Sequence, residues 1–120
     1  MLQKFIVTYS HDHRIGVLVE IHTIDDFTFE IAEVQEFVTA VRLHIASQAP
    51  KDVEELLSQP FVIDTSMTVG ERLSSLRQYL KSPLKVARFV RWDSEMTPPA
   101  ERDDGPGPAP PYSSQLKVVS

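Results

Sequence analysis

The residues best suited to act on another molecule are Asp25, Asp26 and Phe27, two carboxylates followed by an aromatic ring. Carboxylates can approach a bound cation, and a rigid phenyl ring can enter a pocket of a partner protein. The same triplet also fits an ordinary helix start, where the helix dipole favours acidic side chains and the ring is buried in the core. From residue types alone, the helix start is the favoured interpretation.

The stretch from Arg14 to His22 predicts a β-strand that leads directly to this triplet. One face of the strand is wholly branched aliphatic, and its members are Ile15, Val17, Val19 and Ile21. Such alternation is typical of a strand that is buried on one face. A buried strand therefore carries an acidic and aromatic tip to the edge of the domain, and we interpret this tip as the working part.

The remaining elements predict an α+β fold. A strand from Leu2 to Tyr9 precedes a hairpin loop at Ser10 to His13, and a last strand covers Leu84 to Asp93. Helices are predicted at Ile31 to Ser47, Asp52 to Ser58 and Thr68 to Lys81. This order predicts two layers, a small three-stranded antiparallel sheet with helices packed on one face.

Two stretches lie outside these elements. Residues Gln59 to Ser66 are predicted to form a connector between helices. Residues 94–120 are rich in proline and glycine and have little apolar surface to offset the cost of ordering the chain, so we predict a disordered tail. The folded domain is therefore expected to be residues 1–93.

The composition excludes several classes of function. The net charge of −5, without a strongly basic stretch, argues against direct nucleic-acid binding. The chain has no cysteine, and it has no glycine-rich phosphate loop or zinc helix motif. We therefore expect no catalytic residues, no enzyme activity, no cofactor and no metal. Because no apolar run reaches 18 residues and the N-terminus lacks a signal-peptide pattern, we expect a soluble cytoplasmic protein without membrane contact.

Five other residues are candidates for an interface: His11, His44, Arg88, Arg91 and Trp92. Arg88 and Arg91 belong either to the solvent face of the last strand or to an interface, where arginine is enriched. Trp92 is either an interface anchor or a core residue. His44 lies near the buried stripe of its helix, which favours a hydrogen-bonded core or interface histidine.

Three histidines offer an alternative, a metal site made of His11, His13 and His22. A transition-metal site needs three or four convergent ligands with supporting hydrogen bonds. The first two residues lie in the predicted loop, whereas His22 ends the predicted strand. Solvated histidines are therefore the favoured interpretation.

Three segments of the chain together resemble bacterial elongation factor Ts, the nucleotide-exchange factor for elongation factor Tu. The first segment is RIGVLVE at Arg14 to Glu20, followed by Asp26 and Phe27. The second is LHIA at Leu43 to Ala46, followed by Pro50. The third is LLSQPFV at Leu56 to Val62, followed by Thr68 and Val69 and then by RFVR at Arg88 to Arg91. Their order is the family's order, and the resemblance covers about Ile6 to Asp93. Asp25 stands where the family's TDF signature has threonine, and the family's helical insertion between the two core halves is absent.

The resemblance implies a function without covalent chemistry. Phe27 would be a wedge that enters the GTPase domain of elongation factor Tu near its magnesium site, with Asp26 as the polar neighbour. A single core unit of this family also implies a homodimer, which would bury the apolar outer surface of the small sheet. Two alternatives stay open: a truncated relative that binds the GTPase or another protein without promoting exchange, and a small enzyme or metal-binding domain that uses the histidines.

Overall fold

The computed structural model describes residues 1–95, so the predicted tail lies outside the described residues except for its first two positions. The elements, in chain order, are β1 (Gln3–His11), β2 (Ile15–Thr23), α1 (Asp26–Glu30), α2 (Ala32–Gln48), α3 (Val53–Ser58), β3 (Pro60–Phe61), β4 (Asp64–Thr68), α4 (Val69–Leu80) and β5 (Leu84–Asp93). The predicted α+β class is confirmed.

Strand β2 is the centre of a three-stranded antiparallel sheet with the order β1-β2-β5. Val19 in the middle of β2 lies opposite Val7 of β1 on one side and opposite Phe89 of β5 on the other. The last strand begins and ends at the predicted residues. This sheet is the one predicted from the alternation of apolar residues.

The core lies between one face of the sheet and the helices. The inward side chains of β2 are Val17, Val19 and Ile21, and all three are buried. The predicted stripe of α2 covers them, and its buried members are Val34, Phe37, Val38, Val41 and Ile45. Because burying one such side chain stabilises a fold by roughly 1.5–3 kcal/mol, this contact between β2 and α2 contributes substantially to the stability of the domain.

The turn between β1 and β2 is tighter than predicted. β1 continues to His11, and the turn residues Asp12 and His13 both have left-handed backbone conformations, with φ of 54° and 58°. The Arg14 amide donates to the His11 carbonyl oxygen at 3.0 Å, which closes the turn. Two successive residues with positive φ match the right-handed twist of the flanking strands, so the strands stay paired up to the turn.

The predicted connector is wrong in part, because it contains a second, two-stranded sheet made of β3 and β4. Phe61 of β3 is fully buried, and its ring meets that of Phe37 edge to face at 6.0 Å. At the start of β4, the Asp64 carboxylate accepts hydrogen bonds from the amide and the hydroxyl of Ser66. These two bonds fix the turn locally and lower the pKa of Asp64, the bond from the hydroxyl contributing more.

His44 joins α2 to this small sheet. Its imidazole is fully buried and lies 5.7 Å from the ring of Phe61. Nδ1 accepts a hydrogen bond from the Val62 amide at 3.1 Å, and Nε2 therefore carries the proton that it donates to Oε1 of Gln59 at 2.8 Å. The histidine is thus a hydrogen-bonded core residue.

We predict that His44→Ala destabilises the domain by about 2–4 kcal/mol, because it leaves two partly buried polar groups without their partner and opens a cavity in the core. Urea unfolding monitored by circular dichroism measures this loss. Glu36→Ala, on the exposed side of the same helix, should change the free energy of unfolding by less than about 0.5 kcal/mol. Equal stability of the two variants would contradict the role given to His44.

Candidate partner-binding site

Asp25 turns the chain from strand β2 into helix α1. Its backbone is extended, and its carboxylate oxygen Oδ1 accepts hydrogen bonds from both the amide and the hydroxyl of Thr28, each at 2.8 Å. Behind it, the buried hydroxyl of Thr23 donates to the Asp25 carbonyl oxygen at 2.7 Å. Asp25 is therefore the N-cap of α1, and the change of direction takes only two residues after the strand ends.

The same hydrogen bonds determine the charge of Asp25. The bond from the Thr28 amide, followed by that from the Thr28 hydroxyl, holds the pKa of the Asp25 carboxyl below its ordinary value. Hydrogen bonds to the ionised form favour that form. The cap is therefore negatively charged throughout the neutral range.

Phe27 projects from this short helix into solvent, with 77% of its surface exposed. The interpretation that buries its ring in the core of the domain is therefore wrong. Phe29 takes the inward position instead, and its ring stacks on that of Phe5 with centroids 4.0 Å apart and planes 6° from parallel. Asp26, also exposed, precedes Phe27 in the first turn of α1.

A shallow depression of about 340 Å³ lies beside the ring of Phe27. It is lined by Gln3, Asp25, Asp26 and Phe27. The three candidate residues therefore share one surface, which presents one aromatic ring and two carboxylates. Such a surface can insert a ring into a partner and place negative charge near a cation.

The other candidate residues lie apart from this surface. His11 is exposed at the opposite end of β2, where it contacts Asp12 at 3.4 Å. Arg91 does not lie on the solvent face: its side chain turns to the helix side of the sheet and donates twice to the Ala46 carbonyl oxygen, at 3.1 and 3.0 Å. Trp92 is not a core residue, because 73% of its surface is exposed.

The outer face of the sheet has no cover among residues 1–95, and we call it the open face. The strand register assigns to it Lys4, Ile6, Thr8, Ser10, Gly16, Leu18, Glu20, His22, Lys85, Arg88, Val90 and Trp92. Its large apolar members are exposed, and they are Ile6, Leu18, Val90 and Trp92. Soluble domains rarely leave several such neighbours uncovered unless the surface binds something.

Three charged or titratable side chains of the open face form a triad, Glu20, His22 and Arg88. One carboxylate oxygen of Glu20 lies 2.6 Å from Nε2 of His22, and the other accepts a hydrogen bond from Nε of Arg88 at 2.7 Å. The hydrogen bond with His22, followed by that with Arg88, holds the pKa of Glu20 below its ordinary value. Inspection of the sequence missed this triad, and the available signal was the placement of opposite charges on strands that pair.

The comparisons with known proteins agree with the resemblance seen in the sequence. No protein-family model matches the chain. The chain is similar to elongation factor Ts of Trichlorobacter lovleyi, with 35% identity over 80 residues, which cover 67% of this chain and 26% of that protein. It is also similar to elongation factor Ts of Clostridium novyi, with 32% identity over 90 residues, 74% of this chain and 29% of that protein. The chain is an elongation factor Ts-like protein.

This Ts-like chain spans only about a quarter of the length of the first relatives it matches. A third relative, elongation factor Ts of Rubrobacter xylanophilus, is 29% identical over 134 aligned positions, 73% of this chain and 69% of that protein. That alignment is longer than the 120 residues of this chain, so the relative has residues in the matched region without a counterpart here. This agrees with the missing insertion seen in the sequence.

The geometry does not assemble a histidine metal site in the Ts-like chain. His22 and His11 lie near opposite ends of β2, and His22 is occupied by Glu20. Within residues 1–95 no group of three or more histidine, aspartate or glutamate side chains converges on one point. No helix in this described part is long and apolar enough to cross a membrane.

We predict that the Asp25 cap persists below the ordinary pKa of aspartate. Because the folded-state pKa lies below 3.8, the ionised carboxylate stabilises α1 above that value, and this stabilisation is lost as the pH falls through the folded-state pKa. The NMR shift of the Thr28 amide should therefore titrate with a midpoint below 3.8. Asp25→Asn should abolish this titration and Asp26→Asn should preserve it. A wild-type midpoint at or above 3.8 would refute the assignment.

Proposed function

We propose that this chain binds elongation factor Tu and promotes the release of GDP from it. The observation that carries the proposal is the exposed ring of Phe27, held at the end of the central strand next to two carboxylates. The similarity to elongation factor Ts supports it, and in the sequence resemblance Asp26 and Phe27, which follow the RIGVLVE strand, match the last two residues of the family's TDF signature.

The proposed mechanism needs no covalent step. Phe27 enters the GTPase near its magnesium site, and the adjacent carboxylate of Asp26 disfavours the arrangement that holds magnesium and phosphate. The complex is then most stable in a state with weak nucleotide affinity. By thermodynamic linkage, the chain weakens GDP binding by the same factor by which GDP weakens binding of the chain.

The support beneath Phe27 suits such a wedge. Two hydrogen bonds from Thr28 to Asp25 and the stacking of Phe29 on Phe5 hold α1 in place before any partner arrives. Binding by a segment that is already ordered avoids the entropy cost of ordering it at the interface. More of the contact energy is then available to distort the nucleotide site.

We predict that Phe27→Ala reduces the acceleration of GDP release by about 10-fold or more, because truncation of a central aromatic anchor costs upward of about 1.4 kcal/mol. The measurement is release of fluorescent GDP from elongation factor Tu of the same organism. The domain should stay folded, since the ring is exposed. Tyr79→Ala, which truncates an exposed aromatic residue of α4, is the matched control and should retain full acceleration.

Two outcomes would contradict this assignment. If wild type and Phe27→Ala accelerate GDP release equally, Phe27 is not the wedge. If the wild-type chain binds the GTPase tightly in a pull-down but leaves the GDP release rate unchanged, the chain is a binding module without exchange activity.

We also propose that two copies of the chain pair through their open faces. Each face presents Ile6, Leu18, Val90 and Trp92 to solvent. Leu18 and Val90 are cross-strand neighbours at the centre of the face, and Ile6 lines a shallow depression together with them and with Arg88. Burial of the same apolar patch on both subunits is the simplest symmetric way to cover it.

We predict that Leu18→Glu converts a dimer into a monomer, because it would place two carboxylates in the apolar centre of the interface. Sedimentation equilibrium measures the change. Circular dichroism should show an unaltered fold, since Leu18 points away from the core. Ile63→Glu, at an exposed position between β3 and β4, should remain dimeric. A wild-type chain that is monomeric at all concentrations would refute the dimer.

A further inference from the structure

Three successive outward residues of β2 lie opposite outward residues of β5, and each pair joins complementary side chains. The pairs are Gly16 with Trp92, Leu18 with Val90, and Glu20 with Arg88. The first joins the smallest side chain to the largest, the second joins two apolar side chains, and the third joins opposite charges. A rotation that exchanged β2 with β5 between two copies would therefore bring complementary groups together in all three pairs.

The surface above Gly16 is open, although the largest side chain of the face stands beside it. A Cβ atom added to Gly16 would meet no atom of another part of the chain within 4 Å. The ring of Trp92 therefore does not fold over this gap in its own copy, and 73% of its surface is exposed. The gap is thus accessible to an aromatic ring from a second copy.

Arg88 is available to a second copy as well. Its Nε donates to Oε1 of Glu20 at 2.7 Å, but the arginine side chain is 78% exposed. Its two terminal nitrogens donate no hydrogen bond to any of residues 1–95. Because a carboxylate offers about four acceptor sites, that of Glu20 can accept from a second guanidinium. Two copies can therefore share their carboxylates and guanidinium ions in one group without net charge.

We propose that two copies pair about a two-fold axis that runs between β2 and β5, parallel to the strands, so that Trp92 of each copy lies on Gly16 of the other. The inference rests on the proposed homodimer and specifies the contacts that form it. The same rotation exchanges the members of the other two pairs, so that leucine meets valine and glutamate meets arginine. Strand β1 lies at the margin of the overlap.

Two other symmetric arrangements fit the face less well. An axis along β2 would place the carboxylate of Glu20 on that of its copy, where the side chain is already only 11% exposed. An axis across the strands at Leu18 would place Trp92 on Arg88, which stacks two long side chains. Glu20 would then lie on Gly16 and lose the cation that the proposed axis supplies.

Single cysteines distinguish these axes, because the chain has no cysteine of its own. With the proposed axis, the two copies of position 88 are offset sideways by one strand spacing, about 5 Å, and those of position 8 on β1 by about 14 Å. An axis across the strands gives about 13 Å at position 88 and nearly none at position 8. We predict that a short bismaleimide links Arg88→Cys into a covalent dimer and leaves Thr8→Cys unlinked. Both positions are exposed, so both variants should fold.

Gly16→Leu tests the gap by a second measurement, since the new side chain fills the space that the ring of Trp92 would enter. The fold should be kept, because Gly16 does not have a positive φ and an added Cβ meets no atom. We predict that the dimer dissociation constant from sedimentation equilibrium rises by about 10-fold or more. Ser10→Leu, at the neighbouring position on β1, is the matched control and should change it by less than about threefold.

Several results would overturn the inference. They are links at Thr8→Cys instead of Arg88→Cys, equal links at both positions, links at neither position in a protein that is dimeric, or a Gly16→Leu dimer as strong as that of the wild type. These results leave the homodimer standing. A wild type that is monomeric at all concentrations removes both proposals.

Discussion

The structure depends on the burial of strand β2 on one face only. Val17, Val19 and Ile21 are covered by α2, whereas Leu18 and Glu20 point to the uncovered side. Because side chains alternate along a strand, a shift of one residue would exchange the two sets completely. The packing of β2 against α2 therefore fixes the register of the sheet. It also fixes where β2 ends and which residues make up the open face.

The end of β2 converts this fixed register into the surface that we propose binds the partner. Asp25 caps α1 two residues after the strand, so the aromatic residues of α1 leave the sheet in defined directions. The sequence predicted the strand, the acidic helix start and the exposed carboxylates. It left open whether Phe27 is buried or exposed, because the answer depends on the stacking of Phe29 on Phe5, which reaches the site from another strand.

The remaining differences between prediction and structure have similar causes. The register between β2 and β5 shifts beside Glu20, where Ala87 is left without a partner, and this bulge exchanges the two faces of β5. Arg88 is therefore on the open face and Arg91 on the helix side, the reverse of what alternation counted from the buried Leu84 and Val86 predicts. The two-residue strand at Phe61 is too short to show a pattern, and it is held by the distant His44.

The central claim is that Phe27 reaches the nucleotide-binding domain of elongation factor Tu. The most direct measurement places a photoreactive benzoyl-phenylalanine at position 27, irradiates the complex with GDP-bound elongation factor Tu, and identifies the linked peptides by mass spectrometry. Our account predicts links from position 27 to peptides beside the magnesium site, and none from the same probe at Tyr79, which is also exposed. Links from position 27 only to its own chain, or equal labelling from both positions, would contradict it.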